Sequence, residues 1–75
     1  MNLYNLQIGK EAIIKRLNFK DSKTQSKMIC FGFLKDVSFK IIGKNLFGGP
    51  IIVEIKNSLI AIGKDEAEKI YVKLL

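Results

Sequence analysis

Two stretches of strict alternation constrain this chain more than any other feature. Val37, Phe39 and Ile41 alternate with Ser38 and Lys40, and Ile51, Val53 and Ile55 alternate with Ile52 and Glu54. Successive strand side chains point to opposite faces, so each stretch presents an apolar face backed by a wetter one. Between them, Gly43-Lys44-Asn45-Leu46-Phe47-Gly48-Gly49-Pro50 holds three glycines and the only proline of the chain. That composition turns a chain, so the two strands are expected to form a hairpin.

The rest of the sequence supplies elements of similar length. Glu11–Leu17, following Gly9, is rich enough in β-branched residues to read as a first strand. Ser22 and Gln25 have the spacing of a capping box, Met28 and Phe31 lie three apart with Ile29 beside them, and Gly32 suits a left-handed helix end. These signals predict a helix over residues 23–31. Asn57-Ser58 offers a tight turn into a returning strand, Leu59–Ile62. Asp65 and Glu68 repeat the capping spacing ahead of one or two helical turns across Ala67–Ile70, and Tyr71–Leu75 reads as the last strand. The expected fold is mainly β: about five antiparallel strands in a small barrel, one short helix between strands 1 and 2, and a helical turn before the last strand. Closure of the barrel is expected to protect its edges. With 75 residues there is room for one core, hence a single domain over 1–75.

The same residues exclude several functions. Catalysis by an acid and a base needs two groups held in a cleft, and the one carboxylate cluster, Asp65, Glu66 and Glu68, is explained by helix capping. There is no histidine, Cys30 is the sole cysteine and reads as helix core, and no metal constellation of the usual N/S type can be assembled. The chain is expected to be non-enzymatic, with no cofactor, metal or catalytic residue. Gly48-Gly49-Pro50 lacks the Lys-Ser/Thr of a phosphate-binding loop. The first ten residues lack a basic start and apolar run, which reads as cytoplasmic.

Charge points towards a partner. The net charge is +6, and residues 1–53 hold nine basic and three acidic groups while 54–75 hold four of each. Twelve of the thirteen basic residues are lysine, and a lone Arg16 argues against specific reading of nucleic acid, which favours the arginine fork. Leu46 and Phe47 stand at a loop tip, where large apolar side chains serve either as a lid folded over the barrel end or as a contact for a partner.

Phe31-Gly32-Phe33, the loop Leu46-Phe47-Gly48-Gly49-Pro50-Ile51 and Leu59-Ile60-Ala61-Ile62 with Glu66-Ala67 stand in an order that resembles the FeoA family over nearly the whole chain, joined by Gly9 ahead of the first strand and Ala12 and Ile14 within it. The resemblance implies an SH3-like barrel and a role in bacterial iron homeostasis. The implied partner is the ferrous iron transporter FeoB, through its cytosolic GTPase region, with the chain peripheral to the membrane. Asp36 replaces a usual turn glycine, Lys27 an arginine, Leu46 a proline and Gly63 an arginine. On this reading a docking patch is expected from Phe33, Leu34, Leu46 and Phe47, with Lys27, Lys35 and Lys44 steering towards acidic surface. The alternatives are a nucleic-acid-binding small barrel and a barrel like that attached to some metal-dependent repressors. Self-association is left open by the sequence.

Overall fold

The computed structural model describes residues 1–45 and 47–75. A short 3-10 helix, Leu3–Asn5, precedes β1 (Glu11–Leu17), α1 (Ser22–Cys30), β2 (Ser38–Lys44), β3 (Ile51–Ile55), β4 (Ser58–Ile62), α2 (Lys64–Ala67) and β5 (Ile70–Leu74). The strands form one antiparallel sheet in the order β4-β3-β2-β1-β5. Two register shifts curl it. One extra residue enters β1 between Ile14 and Arg16 and another enters β2 between Ile41 and Gly43, and such bulges bend a strand and increase its twist. The ladder does not close: β4 and β5 are its two edges, where a closed barrel was expected. The outer edge of β5 is instead covered by the N-terminal segment, since Val72 N–H donates to the Met1 carbonyl at 2.9 Å and Asn2 bridges Tyr71.

The expected β2–β3 and β3–β4 hairpins are present, the second with its turn one residue earlier than expected. Ile55 and Ser58 already pair, and Lys56 and Asn57 occupy the two central positions with φ of 48° and 64°. Positive φ at both matches the right-handed twist of the flanking strands.

Helix α1 begins at Ser22 because Asp21, not Ser22, caps it. The Asp21 carboxylate accepts from the Lys23 and Thr24 N–H groups and from the Thr24 hydroxyl. At the other end Gly32, φ 104°, donates to the Ile29 carbonyl and Phe33 N–H donates to Met28. This closure of the last carbonyls turns the chain inward at Phe33. Phe31 ends the helix exposed, and Phe33, expected on a docking surface, takes a core position instead. Cys30, expected in the core, is exposed: it lies two residues beyond buried Met28, most of half a turn around the helix. Helix α2 is shorter than expected. Gly63 precedes it without a side-chain cap, Asp65 and Glu66 lie in its first turn, and Ile70 belongs to β5.

The core collects Ala12, Ile14, Phe39, Ile41, Ile51, Val53, Ile55, Ile62, Ile70 and Val72 from the strands. Met28, Phe33 and Ala67 enter it from the helices and their ends, and Leu3 and Leu6 from the N-terminal segment. Among the described residues no polar or charged side chain is buried.

Two stability tests follow. Asp36 holds φ 69° in the turn where Val37 N–H donates to the Leu34 carbonyl, so Asp36→Ala should lose about 1 kcal/mol to the left-handed backbone while Asp36→Gly loses none in urea unfolding. The Asp21 carboxyl is held below its ordinary value of 3.8, first by the Thr24 hydroxyl and then by the Lys23 N–H. A lowered folded pKa gives stability that is complete above 3.8 and fades as pH falls through the lowered value. Asp21→Asn should remove that acid-side dependence in thermal melts between about pH 2 and 5.

Candidate docking surface

The loop between β2 and β3 is tightly built. Phe47 N–H donates to Asn45 Oδ1 at 2.8 Å, which folds the chain back over two residues. Gly48 takes φ 80°, and a Cβ on Gly49 would sit 2.6 Å from Asn45 Nδ2, so only glycine leaves room for the Asn45 side chain. Phe47 is left 97% exposed. It does not fold back as a lid. Leu46, expected to share the tip, lies outside the described residues.

Below this loop the structure places a group that sequence reasoning missed. Lys44 Nζ donates to the carbonyls of Tyr4 at 2.6 Å and Leu6 at 3.1 Å, and lies 4.9 Å over the Tyr4 ring. Lys64 Nζ is 5.6 Å from the same ring, and a Cβ on Gly48 would stand 3.9 Å from the Tyr4 hydroxyl. The ammonium of Lys44 thus ties the end of the 3-10 helix to β2, as a cation at a helix C-terminus does. Lys44 is half-buried and committed within the chain, a correction to its expected place on a free steering surface. The signal that could have found the N-terminal helix is the Asn2–Asn5 pair, whose side chains each accept from the other's N–H.

The other expected contacts lie elsewhere. Phe33 is 0% exposed and cannot meet a partner, a second correction. Leu34 is 40% exposed beside exposed Lys35, at the start of β2, whereas Phe47 follows its end. Seven residues of strand span about 20 Å in a molecule of 29 × 25 × 23 Å. The continuous patch expected from the helix end and hairpin tip is therefore two separate surfaces. Lys27 pairs with Glu66 at 3.0 Å and fastens α1 to α2.

Chemistry at the clefts is sparse. An open cleft of about 290 Å³ where α1 and α2 meet is lined by Phe19, Asp21, Asp65, Glu66 and Lys69 among others, but Asp21 is occupied in capping and Glu66 in its ion pair. Among the described residues no group of three or more His, Cys, Asp or Glu side chains could hold a metal ion, and no helix is long and apolar enough to cross a membrane. Of the five phenylalanines, Phe33 and Phe39 are buried and Phe19 packs against the core, leaving Phe31 and Phe47 as exposed rings.

Replacing Lys44 by methionine keeps the aliphatic stem and removes both charge-assisted hydrogen bonds. Lys44→Met should cost about 2 kcal/mol and speed amide exchange across Leu3–Leu6; unchanged exchange there would show that the segment is held by burial alone.

The family model described as FeoA domain matches residues 1–74. A protein of Campylobacter jejuni subsp. jejuni, given the provisional name Fe(2+) transport protein A, is 35% identical over 75 residues, all of both chains. The solution structure of iron(II) transport protein A from Clostridium thermocellum is 32% identical with a TM-score of 0.92, over 100% of this chain and 46% of that one. FeoA of Stenotrophomonas maltophilia, a zinc complex described as a prokaryotic SH3 domain protein, shares the fold at 20% identity and a TM-score of 0.86, over 97% of this chain and 89% of that one.

Proposed function

This chain belongs to the FeoA family, and on that premise we propose that it is a non-enzymatic accessory protein of ferrous iron uptake that docks, in the cytoplasm, on the GTPase region of the transporter FeoB. The observation that carries the docking surface is Phe47. An aromatic ring 97% exposed on a turn fixed by Asn45 and two glycines is not required by the fold. Its contact area is already positioned, so little conformational freedom is lost when a partner covers it.

Lysines shape the approach rather than the grip. Lys44 and Lys64 keep positive charge beside the tip although both side chains are engaged with Tyr4, and Lys35 adds charge at the far end of β2. Such charges raise the rate of encounter with an acidic surface and act less strongly as salt rises. The half-exposed Leu34 is a second, separate contact on this reading.

The test is calorimetric titration of this protein with the purified GTPase region of its own transporter, with and without nucleotide, at two salt concentrations. Saturable binding that weakens with salt is expected. Phe47→Asp should abolish it with the fold unchanged, because the side chain is 97% exposed. Unchanged affinity of that variant would remove Phe47 from the docking surface.

A further inference from the structure

Lys44 carries its charge into a half-buried place without a counter-ion. Two of its N–H donors go to the carbonyls of Tyr4 and Leu6, which are neutral, and among the described residues no carboxylate lies within ion-pair distance of it. A partly desolvated charge that is bonded but not neutralised favours any anion able to reach it. An ammonium has three donors, and the third on Lys44 has no acceptor among the described residues.

Two further donors stand around the same ring. Lys64 Nζ lies 5.6 Å from the Tyr4 centroid, against 4.9 Å for Lys44 Nζ, and takes part in no ion pair among the described residues. Asp65 and Glu66 follow Lys64 in sequence, but both line the cleft where α1 and α2 meet, and there Glu66 bonds Lys27. The Tyr4 hydroxyl, at the rim of the ring, lies under the β2–β3 loop beside Gly48. The 3-10 helix, the end of β2 and the start of α2 each supply one donor, so folding assembles a group that no local stretch of sequence contains. Two like charges drawn to one ring repel each other, and an anion between them removes that repulsion.

The donors also select the ligand. A carboxylate carries one charge and has its two oxygens in one plane, so it leaves one ammonium uncompensated. A phosphate group carries about two negative charges at neutral pH and three acceptor oxygens, one for each donor.

We propose that Lys44, Lys64 and the Tyr4 hydroxyl form a binding site for a phosphate group, as the free ion or as a monoester. Lys44, held by two carbonyls, is the fixed point of the site, and the exposed, flexible stem of Lys64 brings its ammonium onto the ligand. The Phe47 ring takes no part, so this site and the transporter contact stand or fall separately.

The experiment is NMR titration of the whole ¹⁵N-labelled chain with sodium phosphate and with phenyl phosphate, against sodium chloride and sodium acetate at matched ionic strength. Both phosphates should shift the Tyr4, Lys44, Gly48 and Lys64 amides along one saturating curve, while chloride and acetate leave them in place. Equal affinity for the two phosphates makes the free ion sufficient, and about tenfold tighter binding of phenyl phosphate makes a monoester the ligand; either supports the site. Lys64→Met should weaken binding about tenfold with the rest of the spectrum unchanged, and Lys64→Arg should retain it. Tyr4→Phe keeps the ring for both ammoniums and should weaken binding about threefold. Wild-type affinity in Lys64→Met, or phosphate shifts scattered over lysines on every face, would overturn the site. Acetate binding as tightly as phosphate would overturn the phosphate ligand.

Discussion

Apolar burial inside one coiled sheet is the interaction on which the rest of this domain depends. The described residues offer no disulfide and no buried ion pair, and both ion pairs lie at the surface, where such pairs add little. A chain of 75 residues has little apolar area to spare, so each element is placed by the side chain it can deliver inward. α1 delivers Met28, the closure at Gly32 delivers Phe33, and α2 delivers Ala67. The bulges in β1 and β2 serve the same end, because a flat sheet of five strands could not wrap these side chains.

Much of this was legible in the sequence where a single local rule governs. Period-two alternation located β2 and β3, glycine and proline located the loop between them, and Gly32 and Asp36 take the left-handed backbones that glycine, lacking a Cβ, and aspartate tolerate. Where two residues could do one job, the sequence did not choose. Asp21 and Ser22 are both good caps, and Phe31, Phe33 and Leu34 are all apolar residues near one helix end; which of them turns inward is set by three-dimensional closure. Five antiparallel strands were legible, but strand count says nothing of which of them stand at the edges, here β4 and β5.

The candidate site was less legible than the fold for a related reason. Lysines look alike in sequence, yet Lys27 is an inter-helix fastener, Lys44 closes carbonyls forty residues away and Lys35 is exposed. Exposure likewise separates Phe47 from Phe33, two phenylalanines that composition treats as equal. The strand β2 lies between the two surfaces that sequence order had merged, so a partner touching both would have to reach along the barrel rather than meet one compact face.

The pairing of β1 with β5 also sets how the domain comes into being. Ala12 finds Leu74 as its strand partner, almost the full length of the chain away. The β2–β3–β4 meander contains only near neighbours and can assemble early, whereas the β1–β5 seam requires a loop nearly as long as the protein. A nascent chain can therefore cover one side of β1 with β2 early, while the other side of β1 stays open until β5 has been made. The interval before the seam forms is when this molecule is most exposed to capture by other unpaired strands.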